Sequence, residues 1–160
     1  MFGSGFFLYD ILKQFCKILE SRNDITNFEK YNRIKEELKK NLNANAWDGR
    51  WYKRAITDDG TVIGSMESKE CKIDGISQSW SVISEAGDND KRYISMEELD
   101  KNLVDRENKL IKLFTPGFKD WEINPGYIKA YPDGIRENGG QYTHRSHLGN
   151  HSKLSTWIWR

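Results

Sequence analysis

Phe6-Phe7-Leu8-Tyr9-Asp10-Ile11-Leu12-Lys13-Gln14-Phe15-Cys16-Lys17-Ile18-Leu19-Glu20-Ser21 is the stretch that decides the fold class. Leu8, Ile11, Leu12, Phe15, Ile18 and Leu19 recur at helical spacing, with Lys13, Lys17 and Glu20 between them. Phe7 and Cys16 widen the stripe, so this helix is expected to be buried over much of its girth. A second helix follows a short turn. Thr26 stands three residues before Glu29, a capping-box pattern. Phe28, Tyr31, Ile34, Leu38 and Leu42 then line one narrow face opposite a charged one. Two helices joined by so few residues form an antiparallel hairpin. The chain therefore reads as mainly α.

Downstream the texture changes. Trp47 to Ile56 is aromatic and non-helical and runs into the turn signal Asp58-Asp59-Gly60, which predicts a short strand or extended segment and then a turn. A third helix is expected from about Ile76 to Ala86, with Gly87 as its C′ residue. A fourth is expected from Ser95, whose capping-box partner is Glu98. Leu110 to Phe114 is strand-like. Thr115 to Tyr142 holds all three prolines and reads as a long loop region of the kind that often carries function.

Composition narrows the partners. The chain has 160 residues, a length that suits one domain with a sizeable core. Its 25 Lys+Arg nearly balance 24 Asp+Glu, so no basic field points to nucleic acid. No apolar run approaches a membrane span. The N-terminal apolar stretch lacks a positive region and meets Asp10 early, so it is a poor signal peptide. Two cysteines are too few for a disulfide scaffold and suggest a reducing, cytoplasmic setting.

The densest chemical cluster runs from Gly126 to His144 and ends in Arg136-Glu137-Asn138-Gly139-Gly140-Gln141-Tyr142-Thr143-His144. A cation, a carboxylate, an amide and an imidazole in nine residues can hold a polyhydroxylated ligand or an oxyanion. A polar surface loop with turn glycines is the plain alternative. His144, His147 and His151 would share one face of a helix and could ligate zinc. Gly149 and Asn150 interrupt that helix, so no metal site is expected. Trp47, Trp51, Tyr52 and Trp80 could stack on sugars, although core packing is the default, for Trp80 above all. The adjacent pairs Asp58-Asp59 and Glu97-Glu98 do not read as a positioned acid and base.

Several blocks in order carry a more specific signal. They are Trp47-Asp48-Gly49-Arg50-Trp51-Tyr52-Lys53-Arg54-Ala55, Asp58-Asp59-Gly60-Thr61, Ile63-Gly64-Ser65, Glu70-Cys71-Lys72-Ile73-Asp74, Gln78-Ser79-Trp80-Ser81-Val82-Ile83-Ser84, Asn124-Pro125-Gly126-Tyr127-Ile128-Lys129, and Tyr131-Pro132-Asp133-Gly134-Ile135 leading into the Arg136–His144 cluster. Over roughly residues 6 to 144 this series resembles glycoside hydrolase family 94, the family of cellobiose and chitobiose phosphorylases and of the C-terminal region of cyclic β-1,2-glucan synthases.

The resemblance implies part of an (α/α)₆ barrel or toroid, of the six-hairpin glycosidase type, with a short β-hairpin and long loops. It implies inverting phosphorolysis of a β-glucoside, which releases α-glucose 1-phosphate. Inorganic phosphate is the co-substrate, and no cofactor or metal is needed. The implied partners are a β-linked glucose oligosaccharide or glucan and phosphate, with no nucleic acid. His144 matches the phosphate-contacting histidine. Arg136 and Glu137 match the basic and acidic pair that flanks the sugar subsites, and Tyr131 matches an aromatic near the glycosyl subsite.

Two departures from the pattern follow. The family's general-acid motif, of Asp-Trp-Asn-Asp-Gly type, does not occur in these residues, where no Trp precedes an Asn. After His144 the family's apolar helix gives way to Arg145-Ser146-His147-Leu148. A six-hairpin barrel needs about twelve helices, and about four are legible. The expectation is that residues 1–144 are part of the catalytic domain and that 145–160 is a frameshifted or unstructured tail. The chain would then be a fragment without the catalytic Asp, inactive alone and exposing apolar surface. The alternative is a carbohydrate-binding module without chemistry.

Overall fold

The structure is a computed structural model that describes residues 1–120 and 124–141. Its largest unit is the helical hairpin of α1 (Phe2–Ser21) and α2 (Ile25–Asn45). Gly3, Phe6, Tyr9, Leu12, Cys16 and Leu19 form the buried face of α1. Gly5 faces Leu42 of α2, and a Cβ there would stand 2.8 Å from Leu42 Cδ2, so that side chain would have to shift. Phe6 meets Tyr52 edge to face at 4.9 Å, which joins the hairpin to the segment beyond it.

The expected burial of α1 around most of its girth is not what the structure shows. Phe7, Leu8, Ile11, Phe15 and Ile18 are 38–53% exposed. They share one side of the helix, since α2 and α3 cover only the other. The cap of α2 is also corrected. Asp24, not Thr26, is the N-cap, and it accepts from the Asn27 backbone N–H at 3.3 Å.

Among the described residues three two-stranded antiparallel ladders follow the hairpin. They are β1 (Ala55–Ile56) with β2 (Val62–Ile63), β3 (Ile73–Asp74) with β6 (Phe114–Thr115), and β4 (Val104–Asp105) with β5 (Leu110–Ile111). Ile73 faces Thr115 and Asp74 faces Phe114. Helix α3 spans Gly75–Ile83 and α4 spans Asn89–Leu103. The helix expected from Ser95 thus begins six residues earlier. Ser95 Oγ donates to the Arg92 carbonyl at 2.9 Å inside the helix, and Glu98 pairs with Arg50 instead of capping. The expected end of α3 at Ala86–Gly87 is corrected as well. The helix stops at Ile83, and Glu85 takes the positive φ of 64°.

A buried polar hub joins these pieces. Gln78 accepts from the Tyr52 backbone N–H at 2.8 Å and donates to the carbonyls of Tyr52 (2.7 Å) and Asp74 (2.9 Å). Asp74 Oδ1 caps α3 through Ile76 N–H (2.9 Å) and Ser77 N–H (3.1 Å). Its Oδ2 accepts from Arg54 Nη1 at 2.6 Å, and the guanidinium lies 4.9 Å from the centroid of the Phe114 ring. Every one of these polar groups thereby has a partner, as a buried network requires. The mainly α fold class holds, and the strands among the described residues are all short. Among the described residues no helix is long and apolar enough to cross a membrane.

Candidate functional site

The Tyr131–Gln141 loop starts from a 3-10 helix, Gly126–Ala130, and ends against the β5–β6 segment. Leu113 N–H donates to the Gly140 carbonyl at 2.9 Å, and Lys112 bridges to Gln141. Inside the loop, Ile135 and Asn138 bridge across a tight turn whose central residues are Arg136 and Glu137. Asn138 N–H donates to the Ile135 carbonyl at 2.9 Å, and Gly134 N–H to the Asn138 carbonyl at 2.8 Å. Arg136 has φ +48°, a left-handed conformation that a side chain with a Cβ rarely takes.

Gly139 is required on two counts. Its φ is +84°, and a Cβ would stand 3.0 Å from the Phe114 carbonyl. The strand β6 and the Arg136–Gly140 turn therefore pack backbone to backbone.

Tyr131 and Arg136 are brought together. The Arg136 guanidinium lies 5.4 Å from the centroid of the Tyr131 ring, and Nη1 donates to the Tyr131 hydroxyl at 3.4 Å. Glu137, the next residue in the turn, is half-buried. Its Oε2 is buried and has no hydrogen-bond partner among the described residues. A carboxylate oxygen left without a donor is costly, and in a native chain it calls for an explanation. His144, His147 and His151 lie outside the described residues, as does the 145–160 tail.

Two polar side chains fasten the backbone around this loop and the segment after β6, a structural role that the sequence does not show. Asn138 is fully buried. It binds both backbone groups of Phe118 and the carbonyl of Tyr131. Glu70, three residues before β3, accepts from the backbone N–H groups of Lys119 (2.5 Å) and Asp120 (2.7 Å). A polar residue between turn residues and glycines was visible in the sequence. That its side chain points inward was not.

The remaining candidates fall out as structure. Trp51 Nε1 donates to the carbonyls of Gly64 and Lys72 at 3.0 and 2.9 Å, inside the core. Tyr52 is fully buried, Trp47 stands edge-on to it, and Trp80 packs against Phe7. Asp59 fastens its own turn through Thr57 and Thr61, and Glu98 pairs with Arg50. Among the described residues no group of three or more His, Cys, Asp or Glu could hold a metal ion.

The chain belongs to the glycosyl hydrolase 94 superfamily, whose catalytic-domain profile matches residues 2–152. It is 44% identical, over 96% of its length, to the cyclic beta-(1,2)-glucan synthase NdvB of Rhizobium meliloti (strain 1021), and covers 5% of that protein. It is 34% identical over 69% of its length to a cellobionic acid phosphorylase of Neurospora crassa, and 31% identical over 67% to a solabiose phosphorylase of Paenibacillus borealis. It covers 14% of each of these two. The chain thus spans a small part of the relatives it matches.

Proposed function

We propose that this chain builds a sugar- and phosphate-holding part of an inverting β-glucoside phosphorylase or glucan-processing glycosyltransferase. The observation that carries the reading is the buried Oε2 of Glu137, which has no hydrogen-bond partner among the described residues, beside the Tyr131–Arg136 pair. A carboxylate so placed accepts hydrogen bonds from the hydroxyls of a glucosyl unit, which supplies donors that the described residues do not. Tyr131 offers a ring edge to the sugar, and Arg136 a guanidinium to an anionic or hydroxylated neighbour. His144 is the phosphate contact, charge-assisted when protonated.

The chemistry assigned to the whole site is economical. A carboxylic acid protonates the glycosidic oxygen while phosphate attacks the anomeric carbon from the opposite face. Phosphate replaces the activated water of an inverting hydrolase, so a second carboxylate base is unnecessary. The C–O bond to the leaving alcohol breaks, the C–O bond to phosphate forms, and α-glucose 1-phosphate results. The general-acid motif is not among these 160 residues. Loss of such an acid typically costs about 10²–10⁴-fold. The chain by itself therefore binds without turnover. No cofactor enters this scheme, and the two free, buried thiols support a cytoplasmic setting.

The test combines binding and turnover. The chain is titrated with a β-linked glucose disaccharide with and without phosphate, and α-glucose 1-phosphate is assayed enzymatically. The expected result is saturable binding that Glu137→Gln weakens, with no product. Equal binding by both forms would sink the role of Glu137. Product formation by the chain alone would sink its proposed dependence on an acid elsewhere.

A further inference from the structure

We infer that Asn138 is the positioning residue of this site: its carboxamide pins the loop that carries Tyr131, Arg136 and Glu137 to the core at Phe118. The inference rests on the reading of Glu137 as a sugar acceptor, and it explains how that carboxylate is held in place before a ligand arrives. Asn138 Oδ1 accepts from Phe118 N–H at 2.7 Å. Its Nδ2 donates to the Phe118 carbonyl at 3.0 Å and to the Tyr131 carbonyl at 2.8 Å. Both amide protons are thus used, and Phe118 is held on its donor and its acceptor at once, much as a neighbouring strand would hold it.

The backbone of the same residue closes the turn. Its N–H reaches the Ile135 carbonyl and its carbonyl takes the Gly134 N–H. One residue therefore ties positions 118, 131, 134 and 135 together, and Arg136 and Glu137 lie between the ties. Phe118 is itself fixed, 2% exposed and edge-on to Phe114 at 5.4 Å. The loop thereby inherits the rigidity of the core. Asparagine is the side chain that suits the post. Aspartate has no donors for the two carbonyls, glutamine is a methylene too long, and alanine leaves three backbone groups unpaired. Such pre-arrangement matters because misplacing a binding group by about 1 Å can cost about 10²-fold in rate.

The experiment uses the full chain and three variants: Asn138→Ala, Asn138→Asp, and Leu42→Ala as a control in the distant helical hairpin. Sophorose, the β-1,2-linked glucose disaccharide, is titrated while the ¹³C signal of the Glu137 carboxylate is followed. Exchange of the backbone amides of Gly134, residue 138 and Gly140 is measured on the same samples. In the native chain the Glu137 signal moves saturably. Asn138→Ala raises Kd by roughly tenfold or more and speeds exchange at the three amides by a similar factor. Leu42→Ala lowers stability and does neither. If Asn138→Ala does not fold, Asn138→Asp, which keeps the acceptor for Phe118 N–H and loses both donations, carries the same readouts.

Native affinity with native exchange in the Asn138 variants overturns the inference. So does an equal loss of affinity in Leu42→Ala, which would make the effect merely global. A Glu137 signal that ignores sophorose in the native chain refutes the sugar reading instead. The pin is then judged on exchange alone: accelerated exchange in the Asn138 variants sustains it, and unchanged exchange overturns it.

Discussion

The Arg54–Asp74 pair offers the sharpest test of what holds the short ladders and α3 together. Their side chains are 14% and 1% exposed, and the contact is 2.6 Å. Removing one partner of a buried pair strands the other charge, typically at about 3–5 kcal/mol. Asp74→Asn keeps an oxygen for the N–H groups of Ile76 and Ser77, and Asn caps as well as Asp, so its cost of about 3 kcal/mol is the stranded guanidinium alone. Arg54→Met leaves Asp74 with its two cap donors and a thioether against the Phe114 ring, and costs about 2 kcal/mol. The double variant strands no charge. It costs about 2 kcal/mol in total, so the cycle gives a coupling of about 3 kcal/mol. Urea unfolding followed by far-ultraviolet circular dichroism measures all four forms, provided the m values agree. A coupling below about 1 kcal/mol is what an exposed pair gives, and it would refute the claim that the pair organises this core.

Three further outcomes follow from the same geometry. Gly139→Ala is expected to destabilise by about 1–3 kcal/mol in urea, because φ is +84° and the new methyl meets the Phe114 carbonyl; an unchanged midpoint would show that the turn relaxes freely. Burial pushes the Cys71 thiol up to about 12, with Arg54 opposing the shift. An unfolded thiol ionises near about 8.5, so this contribution to stability is fully present below that pH and is lost as pH rises toward 12. Rapid native-state labelling of Cys71 at pH 8 would contradict it. Finally, the exposed side of α1 is expected to drive self-association. Ile11→Lys with Ile18→Lys should raise the monomer fraction in sedimentation equilibrium while changing stability by under about 1 kcal/mol, and unfolding of the variant would mean that this face is packed.

The hairpin was legible because its apolar residues repeat at helical spacing over long runs. The start of α4 was not, since Asn89-Asp90-Lys91-Arg92-Tyr93 carries almost no apolar stripe and the Ser95–Glu98 spacing imitates a cap. The cap of α2 was not legible either, since the Thr26–Glu29 spacing imitates a capping box, whereas the side chain that caps is Asp24, through its contact with Asn27. The site shows the same division. Arg136 and Glu137 stood out by residue type and by resemblance, and Tyr131 by resemblance alone. The contacts of Asn138 with Phe118 join residues twenty positions apart, a separation that no local pattern encodes.

Glu70 and Glu137 separate a fastening carboxylate from a receiving one. Each has a buried Oε2 with no partner among the described residues. Glu70 is 7% exposed, and its other oxygen takes two backbone N–H groups, from Lys119 and Asp120. Those charge-assisted bonds stabilise the anion and tie down the chain after β6. Glu137 sits instead at the tip of a turn beside Arg136, which is left-handed, and its buried Oε2 is desolvated without evident return to the fold among the described residues. The two should therefore respond oppositely to truncation. Glu70→Ala unpairs two N–H groups and is expected to cost about 1–3 kcal/mol in urea unfolding. Glu137→Ala is expected to change stability by under about 0.5 kcal/mol, or to raise it, while abolishing disaccharide binding. Equal losses of stability would place Glu137 among the structural carboxylates and remove the observation on which the sugar site rests.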